Sequence, residues 1–347
     1  MSQFDANYAN VHELAAELAF SEAAYARALE LAALQPEKRD WLRYVDRFLM
    51  ALGVALICAG ITAFFAWNWA DLGNMQKFGL IEFGIVTAAV AAWRLGLDSI
   101  AGAASLFAGA FLVGVLFAVY GQIYQTGADP YGLFLAWAIL ILPWAIVGRQ
   151  QGLWLLFVML INLTVIMYWT QVLKPPEGLW QLAQVFGPLV SLGFLVTDSQ
   201  LSGLVFFVNV FAVVTWEFLA VRGISWMRGH WFVRVVVFVA LTTVVAPTLI
   251  IILAATFGEQ VDLNLLSPIL LGCATAGCLY YYQFRQPDLF ILTCCLLAVI
   301  MVITSLAIRV LLDDYGSMLV LAILLIAQVA GAAYWLRGVA RRSEKGT

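Results

Sequence analysis

The sequence is short of charge and of the residues that carry catalysis, and each shortage excludes a class of protein. Charged residues make up 11% of the chain, against about 25% in ordinary soluble domains. The only histidines are His12 and His230, in an N-terminal helical stretch and a basic loop. This leaves no paired histidines for metal hydrolysis and no Ser-His-Asp set in one place. The chain also lacks a G-x-x-x-x-G-K-[ST] phosphate loop, so it does not power itself with nucleotide through such a loop.

The five cysteines lack the spacing of a metal site. Neither a repeated C-x2-C nor a combination of Cys with His at ligand spacing occurs. All five lie inside apolar segments, where small packing residues are expected. They are Cys58, Cys273, Cys278, Cys294 and Cys295. We therefore predict no metal site, no catalytic residues and no cofactor.

What the chain has in excess is apolar side chains, at 64% of its residues. A soluble fold cannot hide that much apolar surface, because large exposed patches lead to association. The apolar segments run about 18–25 residues, the length a helix needs to cross roughly 30 Å of hydrocarbon. The alternating ten-residue segments of a membrane barrel are absent. The eleven segments are 48–66, 78–95, 100–120, 131–148, 152–169, 180–197, 201–221, 233–257, 265–284, 288–308 and 316–336.

These patterns predict an all-α fold, a polytopic transmembrane helix bundle with a short soluble helical region at its N-terminus. Residues 1–47 are predicted to be a cytoplasmic amphipathic helical region, with Ser21 as the N-cap of its second helix. Residues 48–336 form the predicted transmembrane bundle. Residues 337–347 form a basic cytoplasmic tail.

Small and polar residues within the apolar segments predict how the helices meet. Ala110, Gly114 and Ala118 recur four apart, which lets helix backbones approach closely. Asn162, Asn209 and Gln328 are interpreted as interhelical hydrogen-bonding residues.

The distribution of Lys and Arg predicts the orientation, because positively charged loops stay in the cytoplasm. If all eleven segments crossed, with the N-terminus inside, more of these residues would lie outside than inside. If one segment between Lys174 and Arg222 does not cross, nearly all of them lie inside. The weakest segment is 180–197, which the pair Gly187-Pro188 interrupts. We therefore predict ten spans, both termini in the cytoplasm, and an interfacial or re-entrant 180–197.

A polar loop, GQIYQTGADPY, lies at the predicted outer rim of the first four spans and has two interpretations. Asp129 followed by Pro130 is typical of a helix N-terminus, and the tyrosines fit an interfacial aromatic belt. Glutamines flanked by tyrosines would also suit an uncharged polar ligand. Glu82, about one turn inside the second segment, lies near the same rim, where it either marks a site, reaches towards water or pairs with Lys77. The predicted ligand-binding residues are Trp67, Asn68, Trp69, Glu82, Gln122, Tyr124, Gln125 and Asp129.

A second intramembrane acid, Glu217, lies near the inner end of its segment with Arg222 close by in sequence. We interpret the two as an interfacial ion pair.

The stretches FFAWNWADLG, RLGLDS, YGQIYQTGADPYGLFLAWAILILPW and NLTVIMYW together resemble a family of bacterial predicted membrane proteins classed as a domain of unknown function. The resemblance covers roughly residues 10–170. It implies a short cytoplasmic helical region followed by many spans in a bacterial membrane. It implies no reaction and no functional residues.

Three functional hypotheses remain open. The first is a non-enzymatic scaffold, sensor or envelope accessory of the bacterial inner membrane. In that role the chain contacts the bilayer, and residues 1–47 could bind a membrane or cytoplasmic protein. The alternative is a transporter or a lipid- or solute-binding permease with its site at the outer rim. The third is an enzyme that acts on lipid-linked substrates through the outer carboxylates of Asp71, Asp129, Asp313 and Asp314. No nucleic-acid partner is expected.

Overall fold

The computed structural model describes residues 20–31, 71–124, 129–173, 199–256, 265–311 and 317–345, together with scattered residues between 11 and 69. It divides into two compact units, Met1–Gly73 and Asn74–Thr347. In the first unit, helix α1 spans Glu22–Leu31. The Ser21 hydroxyl accepts a hydrogen bond from the Ala24 amide at 3.3 Å, which confirms the predicted N-cap. The individual residues described between 41 and 63 are helical.

The second unit is a bundle of long helices, and its described residues contain no strand. The helices are α2 Asn74–Leu95, α3 Ile100–Tyr124, α4 Pro130–Gly148, α5 Gln151–Tyr168, α6 Ser199–Val221, α7 Trp231–Thr256, α8 Leu266–Phe284, α9 Leu289–Leu311 and α10 Ser317–Lys345. A π-helical turn, Trp169–Leu173, extends α5. Eight helices in the described part of the chain are long and apolar enough to cross a membrane. The predicted fold class, a helical membrane bundle, is confirmed.

Three of the eleven predicted apolar segments do not coincide with such a span. Segment 180–197 lies outside the described residues, and so does most of segment 48–66. Helix α8, the counterpart of segment 265–284, is less apolar than its neighbours because it ends in Tyr280, Tyr281, Tyr282 and Gln283. At the C-terminus, α10 continues without a break through residues 337–345, the predicted tail.

Successive helices of the second unit alternate in direction. Phe78 on α2 lies against Tyr120 and Tyr124 at the end of α3, so these two helices are antiparallel. The ring of Tyr131 at the start of α4 lies 5.2 Å from that of Tyr168 at the end of α5. Helices α3 and α4 are antiparallel as well, and the indole of Trp137 on α4 donates to the carbonyl of Ala110 on α3 at 2.9 Å.

The alternation holds across residues 174–198 as well. Asn162 on α5 and Asn209 on α6 exchange side-chain hydrogen bonds of 3.2 and 2.9 Å, so the predicted interhelical role of both is confirmed. Near the end of α5, Ile166 packs against Leu201 near the start of α6. At its other end, Gln151 donates to the carbonyl of Gly229, which follows α6, at 3.0 Å. The chain therefore leaves α5 and enters α6 at the same end of the bundle, as the charge distribution requires.

Charge separates the two ends of this bundle. Of the lysines and arginines that the structure describes from residue 74 onwards, all but Lys77 and Arg309 lie at one end. This basic end holds Arg94, Arg149, Arg222, Arg228, Arg234, Arg285, Arg337, Arg341, Arg342 and Lys345. The two ends of the bundle therefore differ in charge.

Candidate functional site

The structure describes only some of the predicted outer-rim residues. Trp67, Asn68 and Gln125 lie outside the described residues, and Trp69 belongs to the first unit. The described members are Glu82, Gln122, Tyr124 and Asp129, and all four side chains are exposed.

An aromatic cluster marks this rim. The rings of Phe78 and Tyr124 are stacked at 6.1 Å, and those of Tyr120 and Tyr124 are 4.7 Å apart. Asp129 occupies the N-cap position of α4 and Pro130 its first turn, as predicted, although the Asp129 side chain makes no capping hydrogen bond. The cluster fits the interfacial belt. The outer-rim binding site stays a prediction.

A larger candidate site lies in the second half of the chain, in a groove between α6, α7 and α8. Helices α6 and α8 run parallel and meet at their two ends. At the first end, the hydroxyls of Ser202 and Ser267 lie 3.4 Å apart, and at the second, Glu217 contacts Tyr282. Between these contacts they leave a cavity of about 650 Å³.

The groove is apolar along most of its length. Helix α7 forms its floor with Val237, Ala240 and Leu241, and Phe206 contributes to the α6 wall. Between Leu270 and Tyr281, the α8 wall is built from small side chains, which is why the space is not filled: they are Cys273, Ala274, Gly277 and Cys278. On the α6 rim, the side chains of Phe207, Val214 and Phe218 are more than half exposed on the outer surface of the helices. The groove therefore opens sideways, towards the surface that a membrane helix presents to lipid.

The groove ends at a buried carboxyl group. The side chain of Glu217 is 8% exposed. Its two oxygens accept hydrogen bonds from the hydroxyl of Tyr282 at 3.2 Å and from that of Tyr281 at 3.4 Å. The interpretation of Glu217 as an ion pair with Arg222 is therefore wrong. The Arg222 guanidinium lies 4.4 Å from the centre of the Phe218 ring instead.

The helical register of α6 explains this arrangement. Glu217 follows Val210 and Val213 by seven and four residues, so all three share the face that lines the groove. Arg222 follows Phe218 by four and shares the exposed face. This spacing in the sequence indicates that Glu217 and Arg222 lie on different faces of α6, although they are close together along the chain.

A second cavity, of about 380 Å³, lies on the other side of Glu217. We call it the vestibule. It is bounded by residues of α6, of the loop before α7 and of the turn before α9: Trp216, Glu217, Ala220, Met227, Gly229, His230, Val233, Gln286 and Pro287. It lies at the basic end of the bundle. One carboxyl group thus lines both an apolar groove and a more polar chamber.

Hydrogen bonds hold the walls of the vestibule in place. The Trp216 indole donates to the carbonyl of Met227 at 2.9 Å, which ties the loop to α6. Asp288, 3% exposed, accepts from the Arg234 guanidinium at 2.8 Å. Its other oxygen accepts from the Phe290 amide at 3.0 Å and so caps α9. The chamber is therefore preformed.

Comparison with known proteins bears on the first half of the chain. Helices α2, α3 and α4 all lie within one region that matches a known family. Residues 12–154 match DUF2157, described as a predicted membrane protein. The resemblance inferred from the motifs is confirmed for this region. No curated protein and no solved structure matches the chain.

The DUF2157 match ends at the start of α5. It includes the outer-rim residues, but the groove and the vestibule lie wholly beyond it. Within the described residues, no group of three or more His, Cys, Asp or Glu side chains is placed to hold a metal ion. The chemistry of the candidate site therefore has to be argued from the Glu217 carboxyl, the two tyrosine hydroxyls and the apolar walls.

Proposed function

We propose that this protein is a non-enzymatic, multi-pass protein of the bacterial inner membrane that binds a lipid-type amphipathic ligand in the groove between α6, α7 and α8. The observation that carries the proposal is an apolar groove that ends in a buried, hydrogen-bonded carboxyl group. Such a site suits the sensor or envelope-accessory role, in which ligand binding rather than chemistry is the output. A permease would use the same groove as its entry from the membrane.

The dimensions of the groove fit one leaflet of a bilayer. Phe206 and Glu217 both line it, and their separation along α6 corresponds to about 16 Å of helix. This is about half of the roughly 30 Å of hydrocarbon in a membrane. A cavity of 650 Å³ lies within the range of about 300–1,000 Å³ that ligand sites occupy. An acyl chain of the leaflet at the basic end would fill the apolar part and place its head group at Glu217.

We place both termini in the cytoplasm. The alternating directions of α2 to α10 and the concentration of Lys and Arg at one end support this orientation. It puts the vestibule and α10's C-terminus on the cytoplasmic side. A ligand in the groove would then come from the inner leaflet.

The experiment is photo-crosslinking in nanodiscs with a long-chain alcohol that carries a diazirine in its chain, followed by mapping of the labelled peptides. Gly277→Phe should fill the groove, because a side chain added there meets no atom within 4 Å and Gly277 lines the cavity. The matched control is Gly272→Phe, on the same helix, equally open and outside the groove lining. We expect Gly277→Phe to lower labelling of α8 about tenfold, a loss of about 1.4 kcal/mol of binding. Equal labelling in the two variants would refute the groove as the site.

The outer rim is a second candidate, favoured by the aromatic cluster of Phe78, Tyr120 and Tyr124 beside the exposed Gln122. In this alternative the protein is a transporter or solute-binding permease. A Glu82→Gln, Gln122→Ala double variant should then lose function in a sensitised growth assay while the Gly277→Phe variant keeps it. Wild-type growth of the double variant would remove the alternative.

A further inference from the structure

We infer that the ligand of the groove carries a protonated amine as its head group and that Glu217 is the group that binds it. This inference rests on the proposed function and specifies its ligand class. It starts from the unused hydrogen-bonding capacity of the carboxyl group. An ionised carboxylate has about four lone-pair sites, and the hydroxyls of Tyr281 and Tyr282 occupy two. The remaining lone-pair sites are on the Glu217 carboxyl group, which lines both the groove and the vestibule.

Within the described residues the Glu217 carboxyl group has two hydrogen-bond donors but no salt-bridge partner. His230 lines the same vestibule and attracts the carboxylate only from beyond salt-bridge distance. Two arginines of the neighbouring segments are engaged elsewhere: Arg234 pairs with Asp288 at 2.8 Å, and Arg222 lies over Phe218. Ionisable residues inside a membrane almost always face the bundle interior or a water-filled cavity, and they commonly mark a substrate site or pathway. In the described part of the chain no Lys, Arg or His nitrogen lies within 4.0 Å of the Glu217 carboxylate. A cation supplied by the ligand would complete the pair.

An ammonium group fits this place better than an anionic or a hydroxyl head. Two of its three N–H donors match the two lone-pair sites that the tyrosine hydroxyls leave free on the carboxylate. The rings of Tyr281 and Tyr282, whose centres are 5.0 Å apart, bring both hydroxyls to the same carboxyl group and hold it in place. A head group that consisted only of a phosphate would instead place negative charge against Glu217. If the head group has further polar atoms beyond the amine, the vestibule can hold them.

The test compares three diazirine probes of equal chain length that differ only in the head: a primary amine, an alcohol and a carboxylate. In wild-type protein at neutral pH, the amine should label α8 at least about tenfold more efficiently than the alcohol, and the carboxylate least. Equal labelling by amine and alcohol would overturn the inference while leaving the groove proposal intact. Absence of α8 labelling by all three probes would overturn the groove proposal itself.

Two substitutions locate the preference at Glu217. Glu217→Gln keeps the shape of the side chain and removes the charge; its amide oxygen can accept from one tyrosine hydroxyl, and its amide nitrogen can donate to the other. It should abolish the preference for the amine and leave alcohol labelling unchanged, which also shows that the variant is folded. The matched control is Glu82→Gln, the same change at an exposed acid on α2. A preference that survives Glu217→Gln would overturn the assignment.

A free long-chain amine and an aminophospholipid share this head-group chemistry. Nanodiscs that contain phosphatidylethanolamine or only phosphatidylcholine separate the two sources. If an aminophospholipid is the ligand, phosphatidylethanolamine should compete with the amine probe and phosphatidylcholine should not. If neither competes, the ligand is a free long-chain amine.

Discussion

The close contact between α3 and α4 makes a prediction that can be worked through from the structure. Gly114 faces the indole of Trp137, which is 8% exposed and donates to the carbonyl of Ala110 at 2.9 Å. In Gly114→Ala the new methyl group would overlap the fused ring atoms of Trp137, well inside van der Waals contact. Either the indole must rotate and lose its hydrogen bond, or the two helices must separate.

The expected cost follows from three contributions. Overpacking costs about 1–3 kcal/mol, and the lost hydrogen bond about 0.5–1.5 kcal/mol. The better helix propensity of alanine offsets about 0.8–1 kcal/mol of this. We therefore expect Gly114→Ala to lower the free energy of unfolding by about 1–3 kcal/mol.

The assay is reversible unfolding in mixed micelles, with Gly121→Ala as the matched control. Gly121 lies on the same helix, and a methyl group there meets no atom within 4 Å. The control should be neutral or slightly stabilising. A second variant, Gly114→Ala with Trp137→Phe, should recover part of the loss because the smaller ring makes room for the methyl group. If Gly114→Ala unfolds like the control, the close packing of these helices is refuted.

Three further predictions follow from contacts described above. Leucine at Asn162 and at Asn209 should show a coupling free energy of about 0.6–1.7 kcal/mol in a double-mutant cycle of micelle unfolding, and additive effects would refute their mutual hydrogen bonds. Asp288→Ala should lower the free energy of unfolding by about 0.5–2 kcal/mol from the lost helix cap alone. Asp288→Asn keeps the cap and loses only the ion pair with Arg234, so it should cost less. The reverse order of stability in a thermal melt would contradict this. Reporter fusions after Arg228 and at the C-terminus should both report the cytoplasm, and a periplasmic result at either point would refute the orientation.

The positions of the spans and of the interhelical polar contacts could be predicted from the sequence, because both depend on local chemistry. A run of apolar residues bounded by polar loops fixes a helix wherever it packs. Asn162 and Asn209 could be identified because an amide inside a membrane needs a partner, and another amide satisfies both its donor and its acceptor. The same reasoning marked Gln328, but its amide nitrogen and oxygen have no hydrogen-bond partner among the described residues.

The groove could not be predicted in the same way, because it depends on distant segments. Glu217 is held by tyrosines 64 and 65 residues further along the chain, whereas its nearest cation in sequence lies on another face of the helix. The small residues of α8 become meaningful only once that helix runs parallel to α6 across the floor of α7. Sequence spacing gives the face on which a residue lies but not the helix that meets it.

The length of α10 has a mechanical consequence. Its 29 residues correspond to about 44 Å of helix, whereas the hydrocarbon of a membrane is about 30 Å thick. The surplus is the basic terminal stretch, where Arg337 and Arg341 lie one turn apart on the same side. These guanidinium groups are carried on a continuous helix rather than on a loose tail. A rigid helix keeps the two charges at a fixed spacing, so we expect them to meet anionic lipid head groups as a pair.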